Sequence, residues 1–319
     1  MHKIVFMFSG QGSQYFHMAR ALYNDNRTFR DWMERLDNLT RQFSGQSVLE
    51  ELYSEAHGKG DPFDRTLQTH PAIFMVEYSL AQLLMEAGIV PDVVLGASLG
   101  SFAAAAVGGF LAVEDALHAV IEQSMAFEKN CEPGGMIAVL ADPVLFAENF
   151  LCSNSELAAV NFSSHFVVSA KLGEISEIEA ALKRRNICYQ RLPVSFPFHS
   201  RWVEAARSPF DSFMQSIRIQ QGRLPLACCD CTETVLHIPS GYFWSVVRHP
   251  IRFLETTARM ERAGACRYID VGPAGTLATF LKYGMSATTT SVVHAILTPY
   301  GADRKNLSAL LGACQRECA

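Results

Sequence analysis

Apolar residues fall into two rhythms along the first half of the chain. Residues 3–8 hold a compact run (Ile4, Val5, Phe6, Met7, Phe8), and Pro91-Asp92-Val93-Val94-Leu95 holds another that stops at Gly96. Both read as buried strands. Between them Ile73, Val76, Leu80, Leu83 and Leu84 recur at helical spacing, which predicts a helix from Pro71 to Glu86 with the proline in its first turn. After Gly100, Phe102-Ala103-Ala104-Ala105-Ala106-Val107 predicts a helix slim enough on every side to lie close against a sheet. A longer helix is expected from about Val113 to Lys129, with Glu114 and Asp115 in its first turn. Strands alternating with helices predict a mostly parallel sheet covered on both faces.

The middle changes character. Gly134 to Leu140 reads as a strand, residues 143–151 as a helix, and Leu157-Ala158-Ala159-Val160 with Phe166-Val167-Val168-Ser169-Ala170 as a hairpin. A helix at about 173–185 and a strand at about 187–194 complete a βαββαβ order, the ferredoxin-like arrangement. The fold expected is therefore α/β, with a small ferredoxin-like domain at residues 130–195 inserted into a larger domain made of residues 1–129 and 196–319.

Composition narrows the function classes. The 319 residues are 49% hydrophobic and 18% charged, which excludes a disordered chain. A net charge of −5 argues against nucleic acid, and no run of 18 apolar residues offers a membrane span. The apolar N-terminus passes directly into Ser9-Gly10-Gln11-Gly12 and reads as a strand rather than a secretion signal. Nine cysteines, an odd number without an export signal, fit reduced thiols in a cytoplasm. Cys228 and Cys231 form a C-x-x-C, but in what reads as a strand from Leu224 to Thr232 they would face opposite ways, so no metal is expected there.

The chemistry gathers at Gly96-Ala97-Ser98-Leu99-Gly100, a G-x-S-x-G placed where a strand ends and a helix begins. Such an elbow thrusts the Ser98 hydroxyl over the sheet's carboxyl edge and aims helix N–H groups at a developing oxyanion; otherwise Ser98 merely caps a helix in a glycine-rich turn. Gly10-Gln11-Gly12-Ser13-Gln14 lacks the third glycine of a dinucleotide fingerprint, since Tyr15 stands there. It reads instead as a turn of backbone N–H groups able to hold an anionic oxygen, or simply as a tight turn.

Together with Asn161, Pro193-Val194-Ser195-Phe196-Pro197-Phe198-His199-Ser200 and Asp270-Val271-Gly272-Pro273, these motifs run in an order and spacing that resembles the malonyl-CoA:acyl-carrier-protein acyltransferase family of fatty-acid and polyketide synthesis. The resemblance implies an α/β-hydrolase-like large domain, Ser98 as nucleophile, His199 as its general base, and the N–H groups of Gln11 and Leu99 as oxyanion donors. It places a backbone carbonyl near Val246 to Arg248 behind the histidine, with Asp270 as a substitute. It puts Asn161 and Phe198 at the substrate, although Asn161 could equally serve to pack the small domain.

Two departures stand out. Ala97 replaces the histidine usual before the serine, and Gln123, 25 residues after it, replaces the arginine that pairs with a malonyl carboxylate. The elbow spacing is expected to set Gln123 in the acyl pocket; otherwise it is an ordinary helix-former on a solvated face. Both departures, and the free-standing length, are similar to the acyl hydrolases of trans-acyltransferase polyketide assembly lines. They imply hydrolysis of neutral acyl groups from acyl carrier protein domains of a polyketide synthase. The other readings are transfer of neutral acyl groups between CoA or carrier thiols, and a non-catalytic carrier-binding subunit. No cofactor is expected beyond the 4'-phosphopantetheine arm carried by the partner, and no metal. A local basic patch (Lys183, Arg184, Arg185, Arg201, Arg248, Arg252) is a candidate docking face for an acidic carrier, or just a solvated one.

Overall fold

The computed structural model describes residues 2–318. Its larger sheet contains β1 (Lys3–Phe8), β2 (Val93–Gly96), β7 (Leu226–Cys228), β8 (Thr234–Val235), β9 (Cys266–Asp270) and β10 (Val292–Ala295) in the order β10-β9-β1-β2-β7-β8. All pairings are parallel except β7 with β8. The runs that read as continuously apolar are so because both faces are covered: Phe6 and Phe8 enter one core, Val5 and Met7 the other. The register Phe8↔Gly96 brings the carboxyl ends of β1 and β2 level, and Asp270 ends β9 beside Met7. Ser9, Ala97 and Val271 therefore leave the sheet side by side, at the edge where parallel α/β sheets bind ligands.

A second, antiparallel sheet contains β3 (Gly134–Val139), β4 (Glu156–Phe162), β5 (His165–Lys171) and β6 (Tyr189–Arg191) in the order β4-β5-β3-β6. This is the expected ferredoxin-like arrangement. Strand alternation divides its faces. Ile137, Val139 and Val168 pack on Ile175, Ile178 and Leu182 of the helix Leu172–Arg184. Met136, Ala138 and Val167 face the larger unit.

Four expected elements need correction. The helix read from Pro71 begins a turn and a half earlier, at Thr66, with Pro71 inside it. A carboxylate from elsewhere satisfies the start: Glu128 accepts the Leu67 N–H at 3.0 Å, and Arg65 C=O accepts those of Gln68 and Thr69. Residues 143–151 form a 3-10 turn, Pro143–Ala147, and a one-turn helix, Asn149–Cys152, separated by the extended Glu148. The strand at 187–194 shrinks to β6, because the backbone turns at Pro193, where Val194 N–H bonds back to Leu192 C=O. The strand through Thr232 stops at Cys228. Thr232 N–H returns to Cys228 C=O at 2.9 Å, so the C-x-x-C lies in a tight turn, with the N–H groups of Asp230 and Cys231 directed at Cys228 Sγ. The opposite-face argument therefore does not hold for this pair.

The eight cysteines whose side chains are described are free thiols, while Cys318 lies outside the described side chains. Among the described residues no three His, Cys, Asp or Glu side chains gather as a metal site, and no helix is long and apolar enough to cross a membrane.

Candidate active site

Steric necessity builds the elbow. Ser98 follows β2 in the left-handed region (φ 56°), and the helix Gly100–Gly108 starts two residues later. A Cβ at Gly96 would collide with the backbone of Ser101, and one at Gly100 with the Phe8 carbonyl. Both glycines are thus required for the chain to reverse so close to β1. Gly10 closes in from the other side: a Cβ there would stand 3.0 Å from that of Ser98. Ala97 N–H donates to Phe8 C=O at 2.9 Å, tying the serine turn to the turn after β1.

His199 reaches the serine from the loop after β6. Its own backbone is left-handed (φ 58°), held by its N–H donating to Val247 C=O at 3.0 Å and by Ser169 Oγ donating to Phe198 C=O. The imidazole Nε2 lies 2.8 Å from Ser98 Oγ, and Nδ1 lies 2.6 Å from the His249 carbonyl oxygen. A carbonyl only accepts, so Nδ1 carries the proton and Nε2 presents its lone pair to the hydroxyl. The orienting carbonyl is therefore one residue beyond the expected Val246–Arg248 stretch, which instead supports the backbone of His199 through Val247. Asp270 takes no part in this. Its carboxyl accepts from the N–H groups of Gly272 and Ala278, and burial raises its pKa to about 6.

Burial lowers the His199 pKa from 6.5 to about 4, against the opposing pull of the His249 carbonyl and Asp230. A general base must be neutral, so depression extends its working range toward acid. The acid limb of kcat/KM, which reports the free enzyme, is expected to inflect near pH 4. A limb at 6.5 or above in a pH–rate profile would show that burial does not control this imidazole.

Gln11 lines the cavity that Ser98 and His199 open into, while Leu99 stands outside that lining as the N-cap of the helix Gly100–Gly108. Gln11, Ser98 and His199 open into a cavity of about 320 Å³ between the two sheets. Its walls include Met136, Ala138, Ala159, Val167, Leu192, Phe198, Ile251 and Phe280, with Asn161, His165, Gln190 and Thr276 as neutral polar points. Among the described residues no lysine, arginine, aspartate or glutamate lines it. Asn161 Nδ2 donates to His165 Nδ1 at 3.1 Å.

Gln123 does not line this cavity, contrary to expectation. It is fully buried one turn before Phe127, whose ring packs on Phe198 at 5.0 Å, and lies outside the cavity lining. Its Nε2 reaches the Phe243 carbonyl at 3.5 Å and its Oε1 has no partner. His70, Glu77, His165 and Gln190 escaped the sequence reading. For His70 a signal existed, since Thr69 and His70 belong to the extra turn that the Pro71 reading cut away.

Residues 5–317 match the acyl transferase domain model. The chain belongs to the acyl transferase domain family. Among relatives of this family, the polyketide biosynthesis acyltransferase homolog BaeD of Bacillus velezensis is 43% identical over 96% of this chain and 95% of its own length. The polyketide biosynthesis acyltransferase homolog PksD of Bacillus subtilis is 41% identical over 96% and 95%. The acyltransferase domain from the second module of the salinomycin polyketide synthase superposes with a TM-score of 0.85 at 27% identity, over 98% of this chain and 73% of that one. The loading acyltransferase of the avermectin modular polyketide synthase shares the fold at a TM-score of 0.89 and 24% identity, over 98% and 99%.

In this acyl transferase domain three residues of the candidate basic patch, Arg201, Arg248 and Arg252, are paired with carboxylates. Arg201 and Arg248 both approach Glu156 (3.3 and 3.9 Å), Arg248 also pairs with Glu204 at 3.0 Å, and Arg252 pairs with Glu255. Arg185 lies over the Phe150 ring.

Proposed function

We propose that this acyl transferase family member removes neutral acyl groups from acyl carrier proteins of polyketide biosynthesis, by hydrolysis through an acyl-Ser98 ester. The observation that carries the substrate class is the cavity beside the Ser98–His199 pair, which is bounded by apolar and neutral polar groups alone. A carboxylated acyl group would enter it with no counter-charge, at a cost on the order of 3–5 kcal/mol.

Ser98 Oγ attacks the thioester carbonyl carbon while its proton passes to His199 Nε2. The tetrahedral oxygen accepts from the N–H groups of Gln11 and Leu99, and the carbon–sulfur bond breaks as the imidazolium returns the proton to the carrier thiol. Water then gives a proton to Nε2 and attacks the ester, and Ser98 regains its hydrogen. Ala97, small where the family has a histidine, lines the cavity beside Ser98. The phosphopantetheine arm belongs to the carrier, so no bound cofactor enters any step.

Intact-protein mass spectrometry on acetyl- and malonyl-loaded carrier protein, with and without a second unloaded carrier, tests the reading. Acetyl is expected to be lost at one rate whether or not the acceptor is present, with malonyl retained. Movement of acetyl onto the second carrier would make the chain a neutral-acyl transferase instead.

A further inference from the structure

Two buried polar side chains outside the catalytic pair face the turn after β1, and both come from the helix Thr66–Glu86. His70 and Glu77 are seven residues apart, hence on one face of it. Glu77 is completely buried, its Oε1 accepting the Ser9 N–H at 2.6 Å and lying 3.0 Å from Ser9 Oγ. His70 is also buried, and its Nε2–H donates to Gln11 Oε1. The neighbouring Thr69 Oγ1 accepts from Gln11 Nε2 at 3.0 Å, so both ends of the Gln11 amide are fixed. In this tautomer His70 Nδ1 is an acceptor 3.1 Å from Ser124 Oγ, whose single hydroxyl proton is shared between it and the Val120 carbonyl 2.9 Å away.

We infer that the 66–86 helix is a clamp that sets the oxyanion-binding turn, with Glu77 gripping it at Ser9 and His70 at Gln11. His70 is then a positioning residue for the acyl-transfer step, since it touches neither nucleophile nor base but fixes the residue whose N–H meets the oxyanion. The inference rests on the proposed serine chemistry. A displaced donor weakens only the interaction made in the tetrahedral state, so the loss falls on kcat rather than KM. Burial holds the imidazole neutral, with its pKa down at about 3, and Gln11 Oε1, which only accepts, keeps the proton on Nε2. The unpartnered Glu77 Oε2 fits the same picture, because a buried carboxyl oxygen without a partner is costly and is retained where the group holds something in place.

The test compares His70→Leu, His70→Gln, Ser124→Ala and Ser98→Ala in steady-state hydrolysis of acetyl-carrier protein, with thermal midpoints measured alongside. His70→Leu is expected to lower kcat ten- to a hundredfold with KM within twofold, and His70→Gln, which keeps an N–H donor toward Gln11, to recover most of it at a similar midpoint. Ser124→Ala, which leaves the imidazole in place but frees it to turn, covers a misfolded leucine variant and is expected to lower kcat threefold to tenfold. Wild-type kcat in His70→Leu or Ser124→Ala, or a glutamine variant as impaired as the leucine one at equal midpoint, would overturn the clamp while leaving the serine chemistry intact. Turnover by Ser98→Ala would instead overturn the serine chemistry, and the clamp with it.

Discussion

Replacing Ser98 with alanine should lower thioester turnover by on the order of 10⁴- to 10⁶-fold, the range seen when a serine nucleophile is removed from a unit of cooperating groups. No acyl adduct should be detectable by intact mass. His199 is already correctly protonated and aimed, with Nδ1 on the His249 carbonyl and Nε2 on the hydroxyl. Alanine leaves that imidazole with nothing to deprotonate except water, which lacks the fixed 2.8 Å geometry. The substitution keeps a Cβ at φ 56°, so the turn is preserved and the unfolding midpoint should move little. An adduct on the alanine protein, or turnover within tenfold of wild type, would remove Ser98 from the mechanism.

Gln123→Arg should have the largest effect on stability. The glutamine is fully buried with one long bond to Phe243 C=O and an unmet acceptor, so an arginine there inherits one carbonyl for five N–H donors. An uncompensated buried charge costs about 3–5 kcal/mol, and the thermal midpoint should fall accordingly. The guanidinium is longer than the amide it replaces, and if it turns past the cavity wall a malonyl carboxylate becomes its counter-ion. Loading with malonyl relative to acetyl should therefore rise, and malonyl thioester should restore part of the lost midpoint. An unchanged ratio by mass spectrometry would place Gln123 beyond reach of the acyl group, whatever the stability change.

The contrast between Ser98 and Gln123 shows what the sequence could reveal. The elbow is legible because its requirements are local: two glycines fail on any Cβ, and both are within two residues of the serine. The two-sheet architecture is legible for a similar reason, since burial on both faces of β1 and β2 leaves unbroken apolar runs. Gln123 is right in helix and in depth. Its direction is not written in its spacing, because the helix Val113–Asn130 is enclosed on several sides and a buried position on it can point at more than one neighbour. The His249 carbonyl is silent for another reason: every residue has one, so only the path of the chain selects it. His70 was hidden by Pro71. A proline suggests a first turn, and only the distant Glu128 carboxylate shows why the helix begins earlier. The C-x-x-C turn shows the same weakness, as apolar residues before it extended a strand reading past the point where the backbone folds back.

The reach of the Ser98–His199–His249 hydrogen bonds along the chain bears on how the protein is made. Ser98 meets His199 across 101 residues, and the carbonyl that fixes the imidazole comes 50 residues later still. Until β9 is synthesised, β1 has no neighbour on its outer side and is an edge strand. A nascent chain on the ribosome, even with its elbow and ferredoxin-like sheet complete, thus lacks both the proton address of its base and the closed sheet beneath its nucleophile. A chain that stops short of residue 249 lacks the carbonyl that sets the His199 tautomer, and one that stops short of β9 leaves β1 an open sheet edge.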